Sequence, residues 1–343
     1  MSRPLVSIII NNYNYGRFLG AAIDSVLAQD YVPREILIID DGSTDHSREV
    51  LDKYVGLVRP ILKDNGGQAS ALNSGARASQ GEIICFLDAD DCFRAGKVAR
   101  VVEAFLHLGL NSKPMLVHHR LQIIDAAGDL VDAQLIGRLH DSPLNLYRHA
   151  KRYKSIPYEG SPTSGLSLNR HLISRLFPIP EKGIYTSADD FMVKGASVIG
   201  ELYSLQDLLG SYRVHGKNLW HGSNGRKSAH FIRTLDGFLN QKLTENGLEP
   251  VLDFNESMYA WGHFLEDRRW AQLGKQMLRV AIKQHDLHTT SYIFNTFRAI
   301  AVQALKPTLA KLKSDSRNQS RSYTSSSHEN GRHTGIHEQN PMK

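Results

Sequence analysis

Four times between Leu5 and Asp91, a short aliphatic run gives way to a polar loop, and after the first three a helical pattern follows. Residues 5–10 (LVSIII) lead into Asn11-Asn12-Tyr13-Asn14-Tyr15-Gly16, then into a spacing that puts Phe18, Leu19, Ala22, Ile23, Val26 and Leu27 on one helix face. Residues 36–39 lead into Asp40-Asp41-Gly42-Ser43-Thr44-Asp45 and a helix over 47–54. Residues 58–62 lead into Lys63-Asp64-Asn65-Gly66-Gly67 and a small-residue helix over 68–78, and residues 82–87 into Asp88-Ala89-Asp90-Asp91. Unbroken apolar runs of this length fill the middle of a parallel sheet buried on both faces. Strand, loop and helix in alternation predict an α/β domain with a largely parallel central sheet flanked by helices. Ligands of such sheets bind beyond the carboxyl ends of the strands. Every unusual polar loop here lies at that end, so the loops are expected to build one site.

Downstream the pattern loosens. A helix is expected over 98–108, a strand over 115–124 with His118 and His119, a short strand and helix over 165–176, a helix opening at Asp189-Asp190, and a strand pair within 202–212 before Arg213-Val214-His215. Beyond Gly216 long helical patterns take over, at 227–246, 255–265, 270–285 and 289–306. Residues 314–343 are rich in Ser, Asn, His, Arg and Lys and cannot bury enough apolar surface to offset ordering, which predicts a disordered tail. The expected organisation is 1–110 and 111–215 as two halves of one α/β domain, 216–313 as a helical appendage, and 314–343 as the tail.

A hydrophobic fraction of 41% over 343 residues is ample for a real core. The 41 basic side chains exceed the 35 acidic ones by too little, and too diffusely, for a dedicated nucleic-acid binder. Cys85 and Cys92 fit neither a zinc knuckle nor a redox motif. With no signal-peptide pattern and no apolar run of spanning length, the expected location is cytoplasmic. A helix over 292–312, from Tyr292 at its start to Leu312 at its end, carries Ile293, Phe294, Phe297, Ile300, Leu305 and Leu309 on one side; it fits peripheral membrane association, a second subunit in a homo-oligomer, or the protein body.

Three carboxylates within Asp88-Ala89-Asp90-Asp91, at a strand end, repel unless a cation or strong donors lie nearby. Oxygen ligands favour Mg2+ or Mn2+; the alternative is a solvated acidic turn capping a helix. A carboxylate in the Asp40-Asp41 loop can accept from a ribose hydroxyl or a base N–H, or the loop is a plain helix cap. Taken in order, Val6-Ser7-Ile8-Ile9-Ile10-Asn11-Asn12-Tyr13-Asn14, Asp40 to Asp45, Asn65-Gly66-Gly67 with Ala71-Leu72-Asn73-Ser74-Gly75, and the D-x-D segment Asp88-Ala89-Asp90 resemble glycosyltransferase family 2, whose members have the GT-A fold. The resemblance runs from about Pro4 to His215.

The resemblance implies an inverting transfer from a nucleotide-diphosphate sugar, UDP-linked by family habit, to the hydroxyl of a carbohydrate or glycolipid acceptor in cell-surface polysaccharide or glycoconjugate synthesis. By position it implies that Asn12, Tyr13 and Asp41 hold the nucleoside, with Asp41 facing the base. Gly66, Gly67 and Ala71 would line the donor pocket, though tight helix packing explains small residues there equally well. Asp88 would contact ribose or metal, and Asp90 would bind Mn2+ or Mg2+ directly. Asp189-Asp190 resembles the family's acidic pair at the start of a helix, giving Asp190 as general base and Asp189 as the second choice; an N-cap pair is the other reading. His215 would lie near the diphosphate as a metal ligand or serve structurally, and Arg213 would pair with phosphate or with an acidic loop. A sugar nucleotidyltransferase would need a Gly-rich basic loop for a triphosphate after the first strand, which residues 11–16 lack, and no G-x-G-x-x-G marks a dinucleotide fold. A non-catalytic relative of the same fold would have no need of Asp41, Asp88, Asp90 and Asp190 together.

Overall fold

The computed structural model describes residues 3–140, 143–184, 186–216, 218, 228–257 and 260. In chain order its elements are β1 (Val6–Asn12), α1 (Gly16–Leu27), β2 (Arg34–Asp41), α2 (Ser47–Asp52), β3 (Arg59–Lys63), α3 (Gln68–Ala78), β4 (Ile83–Asp88), β5 (Cys92–Phe93), α4 (Lys97–His107), β6 (Met115–Ile124), β7 (Leu130–Ile136), α5 (Tyr147–Tyr153), β8 (Leu166–Asn169), α6 (Arg170–Leu176), α7 (Ala188–Ile199), β9 (Glu201–Arg213) and α8 (Ala229–Glu245). The strands form one sheet in the order β3-β2-β1-β4-β8-β6-β9-β5, with β7 added on β6.

The sheet has two characters. β1 pairs in parallel with β2 and β4, and β2 with β3, as the aliphatic runs predict. Beyond β4 the pairing turns mixed: β8 is antiparallel to β4 and β6, β9 is parallel to β6, and β5 and β7 are antiparallel to β9 and β6. The largely parallel expectation therefore holds for the first half. Within 202–212 one strand, β9, replaces the expected pair; register shifts around Arg120 let it follow β6 along its whole length.

Strand periodicity divides the core. In β1, Ile9 faces a layer with Leu37, Ile39 and Phe86, covered by α3, α6 and α7. Ile8 and Ile10 face the opposite layer with Ile38 and Leu87, covered by α1 and α4. Burying each of these side chains stabilises the fold by about 1.5–3 kcal/mol. Helix α8 adds Leu235, Leu239 and Leu243, one turn apart, to the Ile9 layer beside Phe191 and Met192 of α7. The compact unit consequently extends to Ala260, so the expected boundary after residue 215 falls inside it. The helical patterns expected at 270–285 and 289–306, the apolar-faced helix at 292–312, and the tail at 314–343 lie outside the described residues. Among the described residues no helix is long and apolar enough to cross a membrane.

Candidate active site

The loops after β1 and β2 are cross-linked by short polar side chains. Asn12 is 1% exposed, and its Nδ2 donates to Asp40 Oδ1 at 3.0 Å and to Ser43 Oγ at 3.1 Å. The Asn14 amide also donates to Ser43 Oγ at 3.0 Å, while the Thr44 amide donates to Asn14 Oδ1 at 2.7 Å. Among the described residues, Asn11 Oδ1 and Asn12 Oδ1 are buried here without a hydrogen-bond donor, and Asp40 Oδ2 has Arg48 Nε at 3.8 Å. A nucleoside brings hydroxyl and N–H donors of the kind such acceptors need. Tyr13, 46% exposed, stands out from the same loop, where its ring is open to stacking.

Asp41 is more committed than its expected role requires. Its carboxylate accepts from the Gly66 and Gly67 amides, the latter at 2.7 Å, and from Asn65 Nδ2 and Lys63 Nζ. Gly67 turns at φ +84°, and a Cβ on Gly42 would meet the Asn65 amide at 2.7 Å, so both positions need glycine for this junction to close. Asp41 thus fixes the Gly66-Gly67 loop. Ala71 is 1% exposed and sits in the Ile9 layer, where tight packing accounts for its size.

The three carboxylates after β4 have separate environments. Asp90 Oδ2 lies 2.9 Å from His215 Nε2. Asp88 Oδ1 accepts from Asn11 Nδ2 at 2.8 Å and Gln68 Nε2 at 3.2 Å. Asp91, 1% exposed, accepts from Ser164 Oγ at 2.6 Å and from the Arg213 amide at 2.8 Å. Burial and then the Asp90 charge push the Asp88 carboxyl up to about 7, and the same two causes, joined by Asp88, push Asp91 well above the usual carboxylate range. Mutual repulsion of this kind is what a divalent cation relieves. Among the described residues no three His, Cys, Asp or Glu side chains converge as a complete metal cluster. Asp90 and His215 present a carboxylate oxygen and an imidazole nitrogen, donor types that Mn2+ accepts.

Arg213 is 5% exposed and engaged by the protein: Nε donates to the Asp90 carbonyl at 2.8 Å, and Nη1 to the Asp125 and Ala126 carbonyls at 3.1 and 3.3 Å. Its guanidinium also lies over the Phe18 ring. These bonds hold Arg213 against the acidic loop, with Nη2 turned to Cys92 Sγ at 3.6 Å.

Helix α7 separates Asp189 from Asp190. Asp190 is 2% exposed and faces inward, with Oδ1 3.9 Å from Lys194 Nζ one turn along; Lys194 also feels the charge of Asp236 on α8. Asp189 faces the other way. Its charge raises Asp88, and its Oδ2 is 3.5 Å from the Tyr158 hydroxyl. The two carboxylates thus differ in burial, Asp190 packed inside and Asp189 half-buried with its charge felt at Asp88.

Several residues of the site had no sequence signal. Gln68 and Ser164 reach the acidic loop from distant segments, the Asp88 amide donating to Ser164 Oγ at 3.1 Å, and Thr163 accepts from Gln68. Tyr15 and Tyr212 border the cluster; burial raises both phenols first, and Asp88, Asp90 and Asp91 raise them further. The order of the polar loops could have pointed to Tyr15, which lies in the first of them, but nothing local marks the others.

A protein-family model described as glycosyl transferase family 2 matches residues 7–112. An uncharacterized glycosyltransferase of Nostoc sp., alr2836, is 37% identical over 278 residues, which cover 77% of this chain and 84% of that protein. The uncharacterized glycosyltransferase EpsJ of Bacillus subtilis is 39% identical over 103 residues, 29% of this chain and 30% of EpsJ. Among solved structures, S. aureus TarS 1-349 in complex with UDP-GlcNAc matches with a TM-score of 0.55 at 16% identity, covering 88% of this chain and 92% of that one. At that identity the likeness shows the GT-A fold alone.

Proposed function

This chain belongs to glycosyltransferase family 2, and from that membership we propose that it is an inverting enzyme that moves a sugar from a UDP-linked donor to an acceptor hydroxyl in cell-surface polysaccharide or glycoconjugate synthesis. The observation that carries the reading is the meeting at one sheet end of the Asp90–His215 pair, Asp88, and a separate carboxylate, Asp189, on α7. TarS, whose fold this chain shares, was crystallised with UDP-GlcNAc, which supports a UDP-sugar as the donor class.

In this reading Tyr13 stacks on the base, and Asn11, Asn12 and Asp40 accept from nucleoside donors. Asp90 and His215 would hold Mn2+ or Mg2+, which would supply neutralisation of the diphosphate charge. Asp189 accepts the proton of the acceptor hydroxyl as its oxygen bonds to the anomeric carbon and the bond from that carbon to the diphosphate oxygen breaks. A carboxylate suffices as base because the proton leaves while the new bond forms at an oxocarbenium-like centre. Asp190 instead faces Lys194 within α7.

A screen of UDP-sugars with Mn2+ for UDP release tests the assignment. Asp189→Asn is expected to lower turnover by about 10²–10⁴-fold with the UDP-induced thermal shift retained. Asp190→Asn is expected to keep most of the turnover and to melt at lower temperature. The opposite pattern, with Asp190→Asn folded but inactive and Asp189→Asn active, overturns it.

A further inference from the structure

Gln68 touches three parts of the site at once. It is the first residue of α3, placed by the left-handed turn at Gly67. Its Nε2 donates to Asp88 Oδ1 at 3.2 Å and to Thr163 Oγ1 at 3.1 Å, and its Oε1 accepts from the Ala188 amide at 3.3 Å. Ala188 is the first residue of α7 and precedes Asp189; the N-cap residue Ser187 makes no side-chain capping bond of its own. The first turn of a helix leaves amide groups unsatisfied, and here a side chain from another element supplies one acceptor. The amide has one self-consistent orientation, since flipping it would set an oxygen against Asp88 and an N–H against the Ala188 N–H.

We infer that Gln68 is a positioning residue that couples the donor-binding loop to the base-bearing helix, setting Asp88 and the first turn of α7 in a fixed relation. The inference rests on the roles proposed above for Asp88 and Asp189. Both groups must address the same anomeric carbon from different elements, and a rotation of α7 about its own axis displaces Asp189 while leaving the donor site intact. A misplacement of about 1 Å in a reacting group costs on the order of 10²-fold in rate. Gln68 thus acts on kcat through Ala188 and on donor affinity through Asp88, and the two effects separate by substitution.

Gln68→Met keeps the side-chain length and removes all three bonds. Gln68→Glu keeps an oxygen for the Ala188 amide and turns a second oxygen toward Asp88. For each variant, kcat for UDP release, the Kd of UDP with Mn2+ by calorimetry, and the melting temperature are measured on the full chain, with Asp189→Asn in parallel. The Met variant is expected to lose about 10- to 100-fold in kcat and about tenfold in UDP affinity, the scale of a lost hydrogen bond to a charged group. The Glu variant is expected to recover most of that kcat while its UDP binding stays weakened by about tenfold or more, because its second oxygen sets a like charge against Asp88. Parental kcat in the Met variant, or equal kcat losses in Met and Glu variants, overturns the inference. If the Met variant does not fold, the Glu variant decides alone: near-parental kcat with weakened binding supports the coupling, and a kcat loss without weakened binding refutes it. A fully active Asp189→Asn refutes the proposed base instead, whereas an inactive Asp189→Asn beside parental Gln68 variants refutes only the coupling.

Discussion

Asp91 shows how three adjacent carboxylates come to hold different tasks. The chain offers Asp88, Asp90 and Asp91 as near equivalents, and each partner that separates them is remote: Ser164 lies 73 positions from Asp91, Arg213 lies 122, and His215 lies 125 from Asp90. A local pattern reveals a cluster of charge; it carries nothing about which oxygen meets which donor. The same limit hid Lys97. This fully buried lysine donates to the Ser164 carbonyl at 2.8 Å and lies 3.4 Å from the Phe93 ring centre, beneath the turn that holds the acidic loop. Burial lowers it from 10.5 to about 7, with Cys85 and Asp91 opposing. Between those values the unfolded chain binds the proton and the folded chain does not, so stability rises with pH from about 7 to 10.5 and is lost as pH falls through 7. One proton limits the slope to about 1.4 kcal/mol per pH unit. Urea denaturation at neutral and alkaline pH should show this rise in the parent and its absence in Lys97→Met.

Elements were legible where their pattern is local and obscure where their phase is set by another element. β1 to β4 announce themselves because both faces are buried, and the polar loops at their carboxyl ends follow from parallel pairing. Beyond β4 the pairing is mixed and spans long separations, so the local pattern predicts a strand pair where β9 stands and carries no sheet order. Helix α7 was visible as a helix, but which carboxylate faces the site depends on how α8 packs against it. Burial pushes Asp236 of α8 up to about 7 against the lowering effect of Lys194, an arrangement that exists only when the two helices meet. If α8 is part of the core, as Leu239 at 0% exposure implies, Leu239→Ala should cost about 2–5 kcal/mol in denaturant unfolding, in the same cooperative transition as the sheet. A separate early transition would place α8 outside that core.

For the molecule as a whole, the donor half was readable because four ordered loops at equivalent strand ends admit few arrangements, and the resemblance to family 2 rests on that order. The second half brings α7, the turn at Thr163-Ser164 and Tyr212 to the end of β4, single residues that only folding draws together. Both halves converge on one claim, that the end of β4 grips a nucleoside diphosphate through a divalent cation. Calorimetric titration of UDP into the parent and Asp90→Ala, each with Mn2+ and with EDTA, tests it. The account predicts binding to the parent that tightens by about tenfold or more when Mn2+ replaces EDTA, and loss of that gain in Asp90→Ala. Equal affinity in Mn2+ and EDTA, or a full Mn2+ effect in Asp90→Ala, would contradict it.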